Sequence, residues 1–117
     1  MFLNVPKIIG NFLSEKLGIT WDTAPPKILT DNFLIVETIK AQTQNMLNYE
    51  TIRITIYSKE HDINRDLTEK ARRVFIPRFQ EPTPPQFRTL KLIDVTSTIG
   101  FENTHPYAME IEVLTIY

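Results

Sequence analysis

The sequence predicts an α+β domain, a four-stranded, mainly antiparallel sheet with two helices packed on one face. Three observations carry this prediction. Apolar residues recur at helical spacing between Asn4 and Gly18, ETIRITIY at 50–57 alternates strictly, and directly after it the period lengthens from two to nearly four over DINRDLTEKARRVF at 62–75. A helix that follows a strand this closely has to return across the sheet to bury its apolar stripe.

Each element has its own signal. In NVPKIIGNFLSEKLG at 4–18, Val5, Ile8, Ile9, Phe12, Leu13 and Leu17 share one helical face, Asn4 can cap the start and Gly18 sits just past the end. ITW at 19–21 is a weak candidate for a short strand, ended by DTAPPK because Pro25 and Pro26 cannot donate to a ladder. NFLIVETIK at 32–40 is apolar and β-branched, as a mostly buried strand should be. It is expected to pair as a hairpin with 50–57, where Ile52, Ile54 and Ile56 alternate with Arg53, Thr55 and Tyr57. The connection AQTQNMLNY lacks an Asn-Gly or Asp-Gly turn signal, so the two strands are expected to extend as a longer arm before reversing, polar apart from Met46 and Leu47.

The second helix, 62–75, places Ile63, Leu67, Ala71 and Val74 on one stripe. Asp62 and Asp66 stand early and Lys70, Arg72 and Arg73 late, which suits the helix dipole. Pairing of Asp66 with Lys70 and of Glu69 with Arg73 accounts for most of that charge without a ligand. IPRFQEPTPPQF at 76–87, with Pro77, Pro82, Pro84 and Pro85, predicts a stiff polyproline-like crossover. FRTLKLIDVTS at 87–97 and YAMEIEVLTIY at 107–117 read as the last two strands, separated by the turn-rich TIGFENTHP.

Size and charge exclude several classes. The 117 residues fit one domain spanning 1–117. A net charge of -1 supplies no global field toward phosphate backbones. Without cysteine there is no disulfide, thiolate zinc site or cysteine nucleophile. No apolar run approaches the roughly 18 residues of a membrane span, and MFLNVPKIIG lacks the pattern of a secretion signal, so a soluble protein folded in the cytosol, with no membrane partner, is expected.

The chemical inventory is thin. Only His61 and His105 titrate near neutrality, and a site built from His61, Asp62 and His105 lacks the spacing that puts two ligands on one helical face, so no metal is expected. Glu110 and Glu112 share a face of the last strand, as a carboxylate pair might, but alternation with Met109 and Ile111 predicts a solvated face equally well. Gly10, Gly18 and Gly100 are too scattered for a phosphate loop. These readings predict no cofactor and no enzyme. Helix, three strands and helix is also the order of double-stranded-RNA-binding domains, but the helix at 62–75 begins with an acid and carries its basic residues at the far end. Protein contact is left, an interaction module at the least, with Met46, Leu47 and Tyr49 around the hairpin, Pro82, Pro84 and Pro85 in the crossover, and the last strand through Tyr117 as candidate interface. The bland alternative has Met46 and Leu47 covering a sheet edge and the prolines stiffening a loop.

ETIRITIYSKEHDINRDLTEKARRVF and YAMEIEVLTIY, set in an order of helix, hairpin, strand-to-helix junction, proline-bearing crossover and closing strand, resemble the tail terminator and tail-completion proteins of long-tailed bacteriophages. The likeness covers most of the chain and rests on order and pattern. It implies a protomer that forms a ring, a hexamer, on the head-proximal end of the tail tube. There it would stop tube growth, contact the major tail tube protein and the head-tail connector protein, and let DNA pass through its lumen. The implied location is the tail or neck of a virion assembled in the host cytoplasm. The family has no catalytic residues to carry over, and the hairpin around Met46 and Leu47 and the final strand become the subunit contacts. The EPTPP crossover and the near-neutral charge depart from the family pattern.

Overall fold

The computed structural model describes residues 4–23, 32–58, 60–75, 87, 89–97 and 107–116. The elements run α1 (Val5–Leu17), β1 (Thr20–Asp22), β2 (Phe33–Gln44), β3 (Leu47–Tyr57), α2 (His61–Val74), β4 (Thr89–Ser97) and β5 (Tyr107–Ile116). They build one five-stranded sheet in the order β1-β2-β3-β5-β4. The α+β class holds, but the four-stranded expectation is corrected by β1, which adds a fifth strand and makes the sheet mixed. Thr20, Trp21 and Asp22 pair parallel with Phe33, Leu34 and Ile35. Three residues are too few for alternation to announce a strand, and this one forms because α1 delivers it to the edge of β2.

That delivery is local chemistry. Asn4 Oδ1 accepts from the Lys7 amide at 3.2 Å to start α1. Gly18, at φ 70°, ends the helix in the left-handed conformation, its N–H donating to the Ser14 carbonyl at 2.8 Å. The chain then turns back, and Trp21 returns to the helix it left, its indole N–H donating to Asn11 Oδ1 at 2.9 Å.

Register puts the core on one face. Val36, Ile54 and Met109 form one row, and Thr38, Ile52, Ile111 and Leu92 the next. Onto Leu34, Val36, Ile52, Ile54, Ile56, Met109, Ile111 and Val113 pack Val5, Ile9, Leu13 and Leu17 of α1 and Ala71 and Val74 of α2, so both helices lie on the same side. Each fully buried aliphatic of this set contributes roughly 1.5–3 kcal/mol.

The expected stripe of α2 holds at Leu67, Ala71 and Val74 but not at Ile63, which is 38% exposed, whereas Asn64, Thr68 and Phe75 are buried. Only Ser58 to Glu60 separate β3 from α2, so the end of the strand sets which side of the helix meets the core. The side chains at 64, 68 and 71 are small, and the bulk of Ile63 is left outside. The ion pairs Asp62–Arg65 at 3.7 Å and Glu69–Arg72 at 3.1 Å form along the helix at i,i+3 spacing. Phe87 is buried, but the rest of the expected crossover, with Pro82, Pro84 and Pro85, lies outside the described residues, as do the 98–106 connection with His105, and Tyr117.

Candidate interaction surface

The hairpin of β2 and β3 extends past the helix-covered core as an arm. The seven residues Thr38–Gln44 that end β2 are all exposed. Among the described residues β1 covers the outer edge of β2 only at Phe33–Ile35, which leaves Val36–Gln44 with no strand on that side. A register shift between Thr38 and Lys40 makes Ile39 a bulge, a device that bends an edge away from flat pairing.

Side chains on the helix side of the sheet fasten the arm. The Glu50 carboxylate accepts from Asn48 Nδ2 at 2.9 Å and from Thr38 Oγ1 at 3.3 Å, and Thr43 Oγ1 donates to Asn48 Oδ1 at 3.2 Å. Asn48 and Glu50 are buried, so these bonds tie β2 to β3 where slippage would strand buried polar groups. On the other face, Arg53 lies between two carboxylates, Glu110 at 3.4 Å and Glu37 at 3.9 Å, and so links β2, β3 and β5. Nearer the base, Phe33 and Tyr57 stack with centroids 4.8 Å apart and planes 8° from parallel. Burial there, reinforced by the Glu37 charge, raises the Tyr57 hydroxyl above its ordinary pKa of 10.0.

The tip is tighter than the sequence suggests. Gln44 pairs directly with Leu47, so the reversal takes only Asn45 and Met46, at φ 50° and 67°. Two positive φ angles define a type I′ turn, whose second position is normally glycine. Asn45 suits its place. Met46 is held at a cost of roughly 1–2 kcal/mol relative to a relaxed backbone, and its side chain is 69% exposed. It covers no edge. Leu47, half-buried, begins β3 between Gln44 and Ile116. Tyr49, 37% exposed, lines a groove of about 340 Å³ on the face away from the helices, with Lys40, Gln42, Gln44, Thr51 and Glu112.

The structure thus brings Met46, Leu47 and Tyr49 together on one arm. From Tyr107 to Leu114 the final strand is not an edge, because β5 lies there between β3 and β4. Glu110 is engaged with Arg53 and Glu112 is exposed at the groove. His61 is the first residue of α2. Among the described residues no group of three His, Cys, Asp or Glu could hold a metal, and no helix is long and apolar enough to cross a membrane. Sequence reasoning missed Lys40, Gln42, Gln44 and Thr51; a period of two carried on from Leu34 and Val36 would have put the first three on the helix side, and the bulge at Ile39 turns them to the face of Tyr49.

A chain in the virion of a native gene transfer agent (GTA) particle has this fold. It superposes with a TM-score of 0.61 at 8% sequence identity, over 90% of this chain and 84% of that one. Identity this low establishes shared architecture alone. No protein-family model matches the chain, and no curated protein matches it in sequence.

Proposed function

We propose that this chain is a structural protein of a phage-like virion. In this reading copies of it form a ring, six by analogy with the tail terminators it resembles, at the head-proximal end of a tail tube. The ring ends tube growth and joins the tail to the head connector, with DNA passing through its lumen. The single observation that supports it is the fold held in common with a GTA virion chain over most of both chains. The arm agrees with such a role, since an exposed strand edge and an exposed hairpin tip suit contact with other subunits. The role asks for no catalysis and no cofactor, only surfaces.

Two measurements test the reading. Native mass spectrometry of the purified chain should give a closed oligomer, and a monomer at every concentration would refute the ring. Particles produced without the protein should carry tails of irregular length or tails unattached to heads. Tails of normal length joined to heads would refute the role in the virion.

A further inference from the structure

Among the described residues nothing calls for a methionine at the tip of the arm. Glycine at 46 would relax the left-handed backbone, and the Met46 side chain is the most exposed large apolar group among the described residues. A strained residue kept without an internal reason points to a use outside the fold. Beside it on the same arm lies the groove lined by Tyr49 with Lys40, Gln42, Gln44, Thr51 and Glu112.

We propose that the Asn45–Met46 tip of one copy seats in this groove of the next copy, with the Met46 thioether against the Tyr49 ring. The chemistry of the two parts matches. Sulfur packs favourably on an aromatic ring, and methionine adapts its shape to an irregular pocket. At about 340 Å³ the groove has room for a side chain and part of its turn. The amides of Gln42 and Gln44 can meet the N–H and carbonyl groups that a two-residue turn leaves facing outward. Charge does not oppose the contact: Gln44 to Asn48 carry none, and Lys40 and Glu112 leave the groove with no net charge. Each copy offers one tip and one groove, which makes the contact head-to-tail, the kind that closes into rings. The inference rests on the self-assembly proposed above and names the surface that performs it.

The test uses the full chain, with sedimentation and native mass spectrometry reading association and thermal unfolding, at a dilution where the chain is monomeric, reading the stability of the fold itself. Met46→Gly should raise Tm by about 4 °C while weakening self-association at least about tenfold. Tyr49→Ala should weaken association to a similar degree. Mixing the two variants should restore a one-to-one pair that grows no further, because the tip of the Tyr49→Ala copy still fits the groove of the Met46→Gly copy. A lowered Tm for Met46→Gly, association unchanged by either variant, or a mixture that stays monomeric would overturn the proposal. Wild-type rings indifferent to both substitutions would overturn it alone, whereas a wild-type chain that never associates would remove the ring reading with it.

Discussion

Trp21 occupies the space where a side chain on Gly10 would begin. A Cβ built on Gly10 would fall against the Cδ2, Cε2 and Cε3 atoms of the Trp21 ring, and the same indole is anchored to Asn11, the next residue of α1. The contact seats β1 on α1 and so supports the parallel edge of the sheet.

It follows that Gly10→Ala, which on an isolated helix would stabilise by about 0.5–1 kcal/mol, should destabilise this protein. Forcing an atom into a packed contact typically costs about 1–3 kcal/mol, and that term wins. In a Trp21→Ala background the clash is gone and the same substitution should become stabilising. A double-mutant cycle by urea unfolding checks the change of sign; a loss that persists without Trp21 would show that the ring is not the cause.

Thr68 is buried on α2, and among the described residues its hydroxyl oxygen has no hydrogen-bond partner. Thr68→Val keeps the shape and removes the unmet polar group, so a gain of about 1 kcal/mol is expected. An unchanged or lower midpoint in denaturant would mean the hydroxyl is satisfied in solution.

Arg53 is the cation between Glu37 and Glu110, and all three side chains are partly open to water. Screening keeps the triad weak, and Arg53→Ala should cost no more than about 1 kcal/mol. The loss should shrink as salt rises past the concentration at which the Debye length falls below the spacing of the charges. A salt-independent loss would point instead to packing of the arginine stem.

Tyr57 makes stability sensitive to alkali. Its hydroxyl is raised above 10.0 in the folded state, by burial first and by the Glu37 charge second. The unfolded chain therefore releases that proton first as pH climbs. The contribution is fully present below pH 10 and is lost from there upward through the folded pKa. Tyr57→Phe should flatten this part of the alkaline stability profile, as read by unfolding at stepped pH, and an unaltered slope would contradict it.

The sequence alone determined the elements whose burial follows their own period. Val5, Ile9 and Leu13 at helical spacing, Ile52, Ile54 and Ile56 in alternation, and Met109, Ile111 and Val113 near the end all sit in the core. For these residues local pattern and global packing require the same thing. Tertiary structure decided the rest, wherever a residue answers to a neighbour distant in the chain. β1 exists because α1 and β2 hold it. α2 is turned by its junction with β3, which exposes Ile63 and buries Asn64. The Asn45–Met46 reversal is dictated by the pairing of Gln44 with Leu47, against the preference of methionine. The groove beside Tyr49 appears only when β2, β3 and β5 lie side by side, since a surface made by three strands has no signature in any one of them.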